Sequence, residues 1–99
     1  VTDVAELRGL PEDRIAAAAA AGFRKVELFL LKGRDLPSIR RALDEHGVEL
    51  VSTVADYLTQ LVDPATHEGF CDTFRQAALD AKALGCRNIV VTSGRGVPW

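Results

Sequence analysis

The chain has 99 residues, 47% of them hydrophobic and 26% charged, and carries a net charge of −2. That length and balance describe one small globular domain. The arginines lie scattered among acids, which argues against the basic face of a nucleic-acid-binding protein, and no apolar run approaches the roughly 20 residues that a membrane helix needs.

Val1–Leu10 shows no clear period, and Val1 in place of Met reads as a start that is processed, trimmed or not included. No basic start is followed by an apolar core, so no secretory signal is expected and the location expected is cytoplasmic. Pro11 suits the first position of a helix, and Glu12 and Asp13 follow in its first turn, where acids favour the helix dipole. This helix should run to about Ala21. Lys25–Leu30 is the first expected strand.

Gly33-Arg34-Asp35 reads as a connection, and Leu36-Pro37-Ser38 opens a second helix. Leu36, Ile39 and Leu43 mark its buried stripe, with Arg40, Arg41, Asp44 and Glu45 on the solvated face. Glu49–Ala55 is the second strand and Asp56–Asp63 a loop. Pro64 starts a long third helix with one stripe of Phe70, Phe74, Ala77, Ala78, Ala81 and Leu84. Asn88–Thr92 is the third strand, followed by Ser93-Gly94-Arg95-Gly96, a loop composition.

A repeat underlies this order. Helix, glycine and strand recur over Ala16–Leu30, Ala42–Val54 and Asp80–Ser93, with Gly22, Gly47 and Gly85 where each helix should stop. Helices alternating with short apolar strands give parallel strands joined by right-handed crossovers. The fold class expected is α/β. The runs VELV and IVV are apolar on both faces, as strands covered on two sides are. Three strands cannot close a barrel, so either more chain completes the sheet or copies pair their edges.

Ligands of parallel α/β folds sit at the carboxyl ends of the strands. Glu27 lies inside the apolar run KVELFL, and a buried carboxylate needs a partner. It reads as a substrate-facing group, or else as a salt bridge to Lys25 or Arg24 or a rim residue. Asp56 and Tyr57 follow the second strand, with Thr53 near its end. An acid at Asp56 can bind a sugar hydroxyl or cap a turn. Ser93 and Arg95, in a glycine-rich loop, can cradle a phosphate or carboxylate, although the string lacks GxGxxG and Walker patterns. His46 and His67 are expected at the surface. Cys71 and Cys86 form no metal spacing and read as small buried residues of a reducing compartment. No metal cluster is visible.

The phrases Ala21-Gly22-Phe23 leading to Val26-Glu27-Leu28, His46-Gly47-Val48-Glu49-Leu50, and Ala83-Leu84-Gly85-Cys86 leading to Ile89-Val90-Val91 carry a resemblance. Together they resemble the xylose-isomerase-like (β/α)8 barrels, most closely the hydroxypyruvate isomerase and sugar-phosphate isomerase/epimerase group. The likeness runs from about Leu10 to Gly96. Such barrels have about 250 residues, so the resemblance places residues 1–99 as a partial barrel, from the first helix to the fourth strand of the family pattern. It implies a parent that isomerises a small sugar or keto acid with a divalent metal (Mg, Mn or Zn). The family's metal ligands come mostly from later strands, so this segment alone should bind none and be inactive. Glu27 matches the glutamate of the family's GFxxVE phrase, which is expected near the substrate end without binding metal.

Three rival readings follow. A non-enzymatic half-barrel would assemble through its open edges, by self-association or with the remainder of a barrel. The apurinic-site endonuclease branch of the superfamily is opposed by the acidic balance. A small open α/β domain would bind phosphate at Ser93–Gly96.

Overall fold

A computed structural model describes residues 11–56 and 61–94. The readings that fall on Val1–Leu10, Tyr57, Arg95 and Gly96 lie outside the described residues. The order is α1 (Pro11–Ala20), β1 (Lys25–Leu28), α2 (Leu36–His46), β2 (Glu49–Val54), a short 3-10 turn (Pro64–Thr66), α3 (His67–Ala83) and β3 (Ile89–Val90). The strands form one parallel sheet in the order β1-β2-β3. The alternating helices and parallel strands expected from the repeat are therefore present.

Local chemistry sets the boundaries of α2. Asp35 caps its first turn: the Ser38 N–H and hydroxyl both donate to the Asp35 carboxylate, at 3.3 and 2.8 Å. Pro37 follows, where its missing N–H costs nothing. Gly47 ends the helix in the left-handed conformation at φ 64°, and the next backbone N–H, of Val48, reaches back to Leu43 O at 2.9 Å. An L side chain would be strained there.

The core lies between one face of the sheet and α1 and α2. Ile15 and Ala18 of α1 and Ile39, Ala42 and Leu43 of α2 close over Val26 and Leu28 of β1 and Leu50 of β2. Ala81, Leu84 and Cys86 extend this core below the amino end of β3. Small alanines on α1 let that helix approach its neighbours closely, while Ile39, fully buried, supplies much of the apolar area.

Two expectations about α3 and the strands need correction. Only Ala81 of α3 is buried, with Leu84 just beyond it, while Phe70 and Phe74 are half-buried and lean on each other at 6.1 Å. The helix seats its carboxyl-terminal turn on the sheet and leaves its first half standing off. The strands are also shorter than their apolar runs. Val90, on the face away from the helices, is 45% exposed, and Val91, beside the loosely seated Phe70 and Phe74 of α3, is 44% exposed.

Ile39→Ala should destabilise the domain by about 3 kcal/mol, the cost of emptying a fully buried aliphatic site, as read from urea unfolding. Asp35→Ala should also destabilise it, in a pH-dependent way. The two bonds from Ser38 hold the folded Asp35 carboxyl below its ordinary pKa. Its stabilisation is therefore present above the ordinary carboxylate range and fades as pH falls through the lowered folded pKa. Unfolding midpoints of wild type and Asp35→Ala should converge as the solution is acidified.

Candidate functional site

One irregularity decides which side chains face where. In the β1–β2 pair, Val26 is level with Leu50, Glu27 with Ser52 and Leu28 with Thr53, so Val51 is an extra residue opposite no partner in β1. This β-bulge resets the alternation of β2. Leu50 and Thr53 both join Val26 and Leu28 on the helix-covered face. Ser52 joins Glu27 on the opposite face, and so do Val54 and its β3 neighbour Val90. In a closed barrel that opposite face lines the interior.

Glu27 is exposed, not buried as its apolar neighbours suggest. The strand is apolar toward the helices and polar toward the open face, where Lys25 and Glu27 alternate with Val26 and Leu28. Glu27 sits one residue from the carboxyl end of β1, beside Ser52.

The carboxyl ends of β2 and β3 are tied together. The Ala55 N–H donates to Val90 O at 3.1 Å, and the Thr92 hydroxyl donates to Asp56 O at 3.2 Å. Half-buried Asp56 and exposed Ser93 thereby share one end of the sheet with Phe29, whose carbonyl accepts from the Val54 N–H at 2.9 Å. Arg95, the cation of the expected anion loop, lies outside the described residues, so the described part of that loop is Ser93 and Gly94.

Among the described residues no three His, Cys, Asp or Glu side chains gather as metal ligands would. These residues do not fit a divalent-metal centre. His46 and His67 are exposed, as expected, and a His67 ring nitrogen lies 2.8 Å from Leu61 O. The cysteines divide. Cys86 is buried, its thiol directed at Asn88 O at 3.4 Å, but Cys71, expected to be buried too, is exposed.

Sequence reasoning missed Ser52 and the importance of Thr53. The one available signal was the run Val51-Ser52-Thr53-Val54, in which two adjacent small hydroxyl residues interrupt a simple apolar alternation.

Comparison with known proteins now bears on this geometry. No family model matches the chain. A relative from Danio rerio named "Putative hydroxypyruvate isomerase" is 36% identical over 87% of this chain and 34% of its own length. A crystal structure of a family 2 AP endonuclease from Brucella melitensis superposes with a TM-score of 0.75 at 26% identity, covering 83% of this chain and 34% of that one. The resemblance to the xylose-isomerase-like barrels holds. The chain spans about a third of the length of the relatives it matches, in their amino-terminal part. Its three strands and three helices are a sector of such a (β/α)8 barrel, and the face carrying Glu27 is the one that a barrel turns inward. No helix among the described residues is long and apolar enough to cross a membrane.

A thiol reagent should modify Cys71 rapidly in the native protein and reach Cys86 only on unfolding, which mass spectrometry of the labelled peptides checks. Equal labelling of both would contradict the packing of Cys86 against the end of α3.

Proposed function

We propose that this chain forms part of the wall of a barrel that isomerises a small hydroxy-carbonyl compound, a sugar or a keto acid such as hydroxypyruvate. The observation that supports this reading is Glu27. A carboxylate that follows the Gly22-Phe23 phrase stands exposed on the inward face, near the carboxyl end of its strand, level with the buried Ser52 of β2. In parallel barrels substrates bind at that end.

Isomerisation moves one proton from the hydroxyl-bearing carbon to the adjacent carbonyl carbon and a second between their oxygens, so that hydroxyl and carbonyl exchange places. In this reading Glu27 and Ser52 hold a substrate hydroxyl and orient it, and Asp56 meets a second hydroxyl from the adjoining strand end. The divalent metal that the resemblance implies would take its ligands from residues other than those described, and no step is assigned to it. The rival endonuclease reading draws support from the Brucella melitensis structure. The net charge of −2 with dispersed arginines opposes it.

The test is turnover by the protein that contains this chain, followed by NMR with hydroxypyruvate as substrate and Mg or Mn supplied. Isomerisation to the aldehyde form is expected. Glu27→Gln should lower kcat/KM about 10- to 100-fold, the loss of one charge-assisted hydrogen bond. Isomerisation unchanged in Glu27→Gln removes Glu27 from the reaction. Cleavage of abasic DNA without isomerisation replaces this reading with the endonuclease one.

A further inference from the structure

The β-bulge leaves Val51 with no residue level with it in β1, and the backbone of such an extra residue must find its hydrogen bonds elsewhere. Asn88 supplies one. Its side-chain Nδ2 donates to Val51 O at 2.9 Å, between residues 37 apart in the chain. The registered pairing of β2 with β3 begins at Thr53 with Ile89, so the amide reaches back past Ser52 to the bulge. The backbone of Asn88 holds the other side, where its carbonyl accepts from the Thr53 N–H at 3.2 Å. One residue thus grips β2 immediately before and immediately after Ser52. The grip coincides with the switch in register. In a regular strand residues 49, 51 and 53 would all turn their backbone groups to the same neighbour. Here the Glu49 N–H turns to Arg24 O at 2.9 Å, on the β1 side, while Val51 and Thr53 turn to Asn88.

We propose that Asn88 is a positioning residue of the candidate site: its amide holds the bulge and so keeps Ser52, in place of Val51, level with Glu27. The consequence for turnover rests on the isomerase reading; the register does not. The bulge is a costly device, since it interrupts the β1–β2 ladder and buries Thr53 Oγ1 without a hydrogen-bond partner. A costly backbone arrangement persists where surrounding contacts over-determine it, and the two bonds of Asn88 are such contacts. Slippage of the bulge would set the apolar Val51 beside the carboxylate and send Ser52 into the core. The Asn88 side chain is itself exposed, so it fills no core volume, and its loss removes a hydrogen bond and not packing.

The experiment uses the protein that contains this chain and compares wild type, Asn88→Ala, deletion of Val51 and the two changes combined. Register is read by NMR from contacts between backbone protons of β1 and β2. Wild type should show Glu27 level with Ser52, and Asn88→Ala should weaken those contacts and bring in contacts of Glu27 with Val51. Isomerisation of hydroxypyruvate should fall about tenfold in kcat/KM, the factor by which one hydrogen bond can shift two registers. On the Glu27→Gln background the same change should cost less than about twofold more, because residues that serve one group are not additive. Deletion of Val51 removes the extra residue itself and leaves a regular ladder with Leu50 and Thr53 toward the helices and Ser52 beside Glu27. In that background Asn88→Ala should no longer move the register. A Glu27–Ser52 register unchanged in Asn88→Ala overturns the proposal. So does a loss of equal size in the wild-type and Glu27→Gln backgrounds, which is the mark of general destabilisation. A register that shifts in Asn88→Ala, in a protein whose wild type shows no isomerisation, upholds the hold of Asn88 on the bulge and overturns the isomerase reading alone.

Discussion

The structure turns on one extra residue in the middle strand. A parallel sheet with helices on one side must send every second side chain of each strand into the core, and a shift of one residue exchanges the two faces. Val51 makes that shift midway along β2. Before it, Leu50 faces the helices in register with Val26. After it, Thr53 faces them in register with Leu28. Without the bulge Val51 would stand beside Glu27, Ser52 would follow Leu50 inward to the core and Thr53 would turn to the open face. The bulge therefore decides both which hydroxyl accompanies Glu27 on the open face and which is buried under α3.

The same asymmetry explains how much of the molecule was legible in its sequence. Helix ends were legible because they depend on local chemistry: Asp35 and Pro37 at the start of α2, Gly47 at its end, each acting within a few residues. Strand positions followed from the glycines and the apolar runs. The bulge was not legible, since it is a property of register between β1 and β2 and not of either run alone. The exposure of Glu27 was misjudged for a related reason. A continuous apolar run implies cover on both faces only if a second layer exists, and the described residues place helices on one face alone.

The candidate site was legible only in part. Glu27, Asp56 and Ser93 were singled out by their places near strand ends, and the sheet does bring Asp56 and Ser93 to one end through the Thr92–Asp56 bond. Phe70 and Phe74 read as part of a buried stripe because helical spacing says which residues share a side, not whether anything lies opposite. On α3 the spacing is right and the cover is incomplete: the helix rests on Ala81 and Leu84, and its first half is only half-buried or exposed. Periodicity locates a stripe. Only tertiary packing decides how far along the stripe the contact extends.

That partial contact joins the two halves of the molecule's chemistry. A helix seated along its whole length would leave no room at the carboxyl end of β2, and Thr53 would then need a partner from the helix itself. The bulge gives β2 buried hydroxyls on both faces: Ser52 on the side of Glu27 and Thr53 on the side of the helices. A strand with hydroxyls on either face, one residue apart, gains nothing for core packing from either. Val at position 53 would pack as well in volume and bury no unsatisfied oxygen. Thr53, in the best-buried position of β2, is thus a local cost to folding that the register of the bulge imposes.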